Sequence, residues 1–167
     1  MEQIDPRKAQ AVWQRVMEAR YGHPPMPPMP GRPPEGQPMP EHPSKEELRQ
    51  WLAEILTRVR AYRSVNAGRN TPMLRRMASE EQAHYRQLAA LYTRLYGRRP
   101  EVLAAAAPGR RSLAAFLQDS YGAEQRAVRQ WRAAAMRYPM HAGMFDRFAR
   151  SDRQHAEQLR RIMAQIR

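Results

Sequence analysis

Apolar residues recur along four segments of this chain at alternating steps of three and four, which places them on one face of an α-helix. The first stripe is Leu48, Trp51, Leu52, Ile55, Val59 and Tyr62, and the second is Leu74, Met77, Glu81, His84, Leu88, Leu91 and Leu95. The third is Leu117, Tyr121, Glu124, Val128, Trp131 and Ala135, and the fourth is Phe145, Phe148, Asp152, His155, Leu159 and Ile162. No segment has a convincing strand period, so the pattern predicts an all-α protein.

Capping residues, glycine and proline mark where these four helices should begin and end. In chain order the predicted markers are Ser44 with Glu47, Ala67-Gly68, Thr71-Pro72, Gly97, Ser112 and Pro139. Two short connections and a longer central one then join the helices. That arrangement predicts an antiparallel four-helix bundle over residues 44–167.

The first 43 residues follow a different pattern. Residues 1–22 predict an extra N-terminal amphipathic helix with Trp13 on its apolar face. Residues 23–43 contain ten of the 15 prolines and several methionines. This composition predicts a stiff, polyproline-like linker between the helix and the bundle.

Composition limits the classes of site and partner. The chain has no cysteine, which excludes disulfides and thiolate metal sites. It shows no secretory signal and no apolar run long enough to cross a bilayer, so we expect a cytoplasmic protein without a membrane partner. The net charge of +13 has two interpretations, a nucleic-acid footprint or arginines solvated on polar helix faces. Composition alone leaves both open.

Five titratable residues lie on the stripes that should be buried. They are Glu81, His84, Glu124, Asp152 and His155. Unpaired buried carboxylates cost several kcal/mol each, against a total stability of only ~5–15 kcal/mol, so something must compensate them. An acidic residue and a histidine three positions apart share one helix face and can address one centre. The set is rich in oxygen and nitrogen donors, which suit iron or manganese.

Three segments on successive helices carry a resemblance to a known family. EEQAHYRQL, YGAEQRAVRQW and SDRQHAEQL, in this order, resemble the ferritin-like superfamily and specifically rubrerythrin-like proteins that lack the rubredoxin domain. The resemblance covers roughly residues 46–166. It implies a ferritin-like bundle with a diiron-carboxylate centre, in which manganese is the alternative metal.

The resemblance also implies roles for the five residues. Glu81 and Asp152 would bridge two irons, His84 and His155 would each ligate one, and Glu124 would be a terminal carboxylate. The implied reaction is reduction of peroxide or dioxygen, or oxidation of ferrous iron, with no catalytic residue separate from the metal ligands. Because the chain lacks cysteine for a rubredoxin centre, an external electron donor would be needed. A homodimer is compatible with such a fold.

Two positions depart from the family pattern. The first helix should offer a glutamate seven residues before Tyr62, but that position is Ile55. Glu54 is adjacent, about 100° away around the helix, and is a candidate ligand only if the helix is rotated or its register slips. Asp152 is one methylene shorter than the expected glutamate.

A second interpretation needs no metal. Arg58 lies one turn after Ile55, and its guanidinium could neutralise Glu81 or Glu124. The protein would then be a non-catalytic helical scaffold, or a basic bundle that binds nucleic acid or another protein.

Overall fold

The structure, a computed structural model, describes residues 40–103 and 112–166. Within these two ranges it contains four α-helices: α1 (Lys45–Ser64), α2 (Thr71–Tyr96), α3 (Leu113–Arg137) and α4 (Ala142–Gln165). Two 3-10 turns, Gly68–Asn70 and Pro139–His141, lead into α2 and α4. The prediction of four helices is confirmed. The predicted N-terminal helix, and the linker as far as residue 39, lie outside the described residues.

Helix α1 begins where the capping box predicts. The Ser44 hydroxyl accepts from the Glu47 N–H at 3.1 Å, and the Glu47 carboxylate accepts from the Ser44 N–H at 2.9 Å. The helix ends at Ser64, earlier than the predicted Ala67-Gly68, because the backbone is already extended at Val65.

Helix α2 begins at Thr71 and has Pro72 in its first turn, but the predicted role of Thr71 as the cap is wrong. The N-cap is Asn70, whose side chain makes no capping bond. The preceding 3-10 turn runs directly into the helix, and the Thr71 hydroxyl accepts from the Ala67 N–H at 2.9 Å instead. The helix closes at Gly97, whose φ of 69° is the left-handed conformation that favours glycine.

Contacts near the helix ends show that neighbouring helices run in opposite directions. The Tyr96 hydroxyl, at the end of α2, donates to the Pro43 carbonyl just before α1, at 2.9 Å. Tyr138, which follows α3, donates to the Glu47 carboxylate in the first turn of α1 at 2.8 Å. The described residues therefore form an antiparallel helical bundle. None of the described helices is both long enough and apolar enough to cross a membrane.

The apolar core consists of two clusters with a polar layer between them. One cluster contains Trp51, Trp131, Phe145 and Phe148, with the rings of Trp131 and Phe145 stacked at 5.8 Å. The other contains Tyr62, Leu74, Met77, Leu117, Leu159 and Ile162. On α2 and on α4 the acidic and histidine positions fall between residues of the two clusters. The polar layer is therefore enclosed along the bundle by apolar side chains.

Candidate metal centre

The five predicted acidic and histidine residues converge in the polar layer. Helix α2 supplies Glu81 and His84, α3 supplies Glu124, and α4 supplies Asp152 and His155. Four of these residues have no exposed surface, and His84 is 6% exposed. The periodicity alone placed them on buried faces, and the packing of the three helices brings those faces together.

Four of the five form a compact group. Glu81, Glu124, Asp152 and His155 each offer a ligand atom, and these atoms all lie within 4.8 Å of one another. The Nδ1 atom of His155 is 3.5 Å from Glu81 Oε1 and 3.6 Å from Glu124 Oε1. Atoms bound ~2.1 Å from one ion lie about 3.0–3.4 Å from their neighbours at octahedral or tetrahedral angles. The four atoms would therefore move closer together around an ion, and the group could hold a metal ion.

Atoms of this group that lack a hydrogen-bond partner also indicate a metal ion as the ligand. Glu81 Oε1, Glu124 Oε2, Asp152 Oδ1 and His155 Nδ1 are buried and have no hydrogen-bond partner in the protein. Buried polar atoms are normally paired, so four such atoms in one small group require an explanation. A cation would satisfy all four, and three carboxylates with one imidazole are a donor set suited to iron or manganese. The residues present therefore fit a metal ion.

His84 faces the group from one side and is not one of its four members. Its Nδ1 lies 3.5 Å from Asp152 Oδ1 and 3.9 Å from Glu81 Oε1. Its ring packs on Phe148 at a centroid separation of 4.4 Å. Burial lowers the pKa of His84 to about 4, so the imidazole is neutral at pH 7. A neutral imidazole keeps a lone pair available for a ligand.

Arg58 brings a permanent positive charge into the polar layer. Its Nη2 donates to Glu81 Oε2 at 2.9 Å and lies 3.8 Å from Asp152 Oδ2, and its side chain is 10% exposed. Burial acts to raise the pKa of Glu81, but the Arg58 charge acts together with His155 and His84 to hold that pKa at about 2. Arg58 therefore compensates one carboxylate without a metal, as the second interpretation of the sequence anticipated for Glu81.

The His155 ring is oriented by a residue that the sequence did not single out. The Glu80 carboxylate accepts from His155 Nε2 at 2.8 Å, and Glu80 is itself held by Arg76 at 2.9 Å. Glu80 reaches toward α4 from the position before Glu81. With Nε2 bonded outward, Nδ1 faces the group, as in the carboxylate–histidine pairs that orient metal ligands. The paired glutamates in EEQAH were the signal available in the sequence.

Two core aromatic residues also hold the carboxylates. The Tyr62 hydroxyl donates to Glu124 Oε1, and the Trp131 indole N–H donates to Asp152 Oδ2 at 2.8 Å. Their apolar spacing predicted only a packing role. Burial and the neighbouring carboxylates, first among them Glu81, raise the pKa of Asp152 well above its ordinary value.

Glu54 does not join the group, so the structure offers no support for it as a ligand. It accepts from Gln50 at 3.0 Å at a half-buried position on α1. The residue that faces inward is its neighbour Ile55, which is fully buried. One residue is a rotation of about 100°, and the apolar packing of α1 fixes that rotation. Helix α1 therefore contributes Arg58 to the polar layer instead of a carboxylate.

The group of Glu81, Glu124, Asp152 and His155 is thus a buried candidate metal centre, with Arg58 and His84 beside it. Comparison with known protein families finds no matching family model, and comparison with curated proteins finds no significant match.

Proposed function

We propose that this protein is a ferritin-like, rubrerythrin-type metalloprotein that binds iron at Glu81, Glu124, Asp152 and His155. The observation that carries the proposal is the set of four buried, unpaired donor atoms in one compact group. The order of the EEQAH, AEQ and SDRQH segments on successive helices supports it. Manganese is the alternative metal for the same donor set.

The proposed reaction is reduction of hydrogen peroxide or dioxygen, or oxidation of ferrous iron by them. Each bound ferrous ion would supply one electron and become ferric, so one peroxide, which takes two electrons and two protons to give two waters, would oxidise two ferrous ions. The chain's own residues hold and orient the centre. Glu80 keeps His155 Nδ1 turned inward, and Tyr62 fixes one oxygen of Glu124. Repeated turnover needs an external electron donor, because the chain has no cysteine to hold a rubredoxin-type centre.

One observation favours a second candidate. The 2.9 Å ion pair between Arg58 and Glu81 already compensates part of the buried negative charge. In this second candidate the protein is a helical scaffold in which the positive charge of Arg58 takes the place of the metal. The two candidates differ in whether the purified chain binds iron.

Anaerobic iron binding tests the proposal. Ferrous iron is added to the metal-free, full-length protein, bound iron per chain is measured, and peroxide is then added while ferric absorption is followed. We expect bound iron that is lost in Glu124→Gln and kept in Glu157→Gln, a matched change at an exposed carboxylate on α4. Absence of bound iron in the unmodified protein would overturn the metalloprotein proposal in favour of the scaffold. Iron that Glu124→Gln leaves in place would show that it binds elsewhere.

A further inference from the structure

The two oxygens of Glu81 face different partners. Its Oε2 accepts from Arg58 at 2.9 Å, and its Oε1 lies 3.5 Å from His155 Nδ1. The two oxygens of Asp152 also face different partners, since Oδ2 lies 3.8 Å from Arg58 Nη2 and Oδ1 lies 3.5 Å from His84 Nδ1. The guanidinium therefore stands beside the four-residue group and shares two of its carboxylates.

The charges of this layer balance with one divalent ion. Among the described residues only Glu81, Glu124 and Asp152 are buried carboxylates, and together they carry a charge of −3 when they bind a metal. Arg58 contributes +1, and one divalent ion contributes +2. The histidines are neutral as ligands, so the sum is zero. A second divalent ion would leave a buried charge of +2, which a low-dielectric interior strongly disfavours.

Helix α1 offers nothing that would correct this excess. Its inward-facing residue one turn before Arg58 is the buried Ile55. Beyond the four-residue group, His84 is the one remaining predicted ligand in the layer. A second ion beside it would have to share the carboxylates that Arg58 contacts. Arginine keeps its charge at all ordinary pH values. Arg58 therefore competes with a second ion for these carboxylates under every condition in which metal binds.

We propose that the Arg58 guanidinium takes the place of a second metal ion, so that the centre holds one divalent ion per chain instead of two. This inference rests on the metal binding proposed above and adds its stoichiometry. It distinguishes the chain from a two-ion centre and assigns Arg58 as the residue that makes the difference.

Metal counting on full-length protein tests the inference. Metal-free protein is titrated anaerobically with Mn²⁺ and with Fe²⁺, and bound ions per chain are counted by equilibrium dialysis. We expect one ion per chain in the unmodified protein and in Arg58→Lys, which keeps the charge. We expect two in Arg58→Glu, because the carboxylate charge becomes −4 and two divalent ions then balance it. Electron paramagnetic resonance adds a second readout: isolated Mn²⁺ in the first two proteins and a spin-coupled pair in Arg58→Glu.

The outcomes separate this inference from the proposed function. Two ions in the unmodified protein would overturn the proposed role of Arg58 but would leave the proposed metal centre supported. No ion in the unmodified protein would overturn the metal centre itself, and the inference with it. One ion in Arg58→Glu would show that Arg58 does not set the number. If Arg58→Glu folds only with metal, it is refolded in Mn²⁺ before dialysis, and the count on the unmodified protein still decides the matter.

Discussion

Replacing Arg58 by methionine should strongly destabilise the metal-free protein. The substitution removes the donor that lies 2.9 Å from Glu81, a carboxylate with no exposed surface. Breaking a buried ion pair by removing one partner costs ~3–5 kcal/mol. The pKa of Glu81 is held at about 2 by Arg58 together with His155 and His84, so this carboxylate is charged in the folded protein. Because total stability is typically ~5–15 kcal/mol, this loss is a large fraction of the whole.

Urea unfolding followed by circular dichroism, with a chelator present, measures that loss. The matched control is Arg153→Met on α4, since Arg153 lies 3.4 Å from Glu157 and both side chains are largely exposed. Exposed helical pairs contribute ~0.3–0.5 kcal/mol, so the control should barely move. Equal losses in the two variants would refute the claim that Arg58 compensates buried charge. Saturating Mn²⁺ should narrow the deficit of Arg58→Met, because the ion supplies positive charge to the same carboxylates.

Three further predictions concern the residues that hold the centre. Glu80→Gln should weaken metal binding ~10–100-fold, because His155 loses its charged acceptor; unchanged affinity in a competition titration would exclude an orienting role. Burial lowers the pKa of His155, but Glu124 and Glu81 raise it to about 11, so His155 holds its proton at pH 7, and burial and Glu81 raise the pKa of Asp152 in the same direction. Metal binding should therefore release protons, and the metal affinity should rise about tenfold per pH unit for each proton released. Equal binding heats, measured by calorimetry in buffers of different ionisation enthalpy, would contradict this. Tyr62→Phe removes the donor to Glu124 and should cost ~1–3 kcal/mol in urea unfolding; a loss near zero would mean that this bond contributes no net stability.

The helices and their buried faces were predictable because one local rule governs both. A period of 3.6 residues places Leu48, Ile55 and Tyr62 on one side of α1, and packing has only to cover that side. The same rule located Glu81 and His155, since polar residues on an otherwise apolar helix face are expected to lie in a buried site. These features required no knowledge of which helix lies beside which.

Contacts across helices were harder to predict, because they depend on helix rotation and side-chain reach. Arg58 lies at the edge of its stripe, and the sequence left Glu81 and Glu124 as equal candidates for its partner. Glu80 lies outside the stripe of α2, so its bond to His155 follows from the neighbouring position of α4. The error at Thr71 was of another kind, since a 3-10 turn before the helix redirected its hydroxyl.

The enclosure of the polar layer has a consequence for how quickly an ion could enter or leave. All four members of the candidate group are fully buried, with apolar clusters above and below them. Exchange must then wait for a local opening of the bundle, a motion on a timescale of microseconds to seconds. Residence time would be set by how often the helices part and would be decoupled from affinity. A chelator should therefore remove metal no faster than the bundle opens, and mild warming should speed that removal.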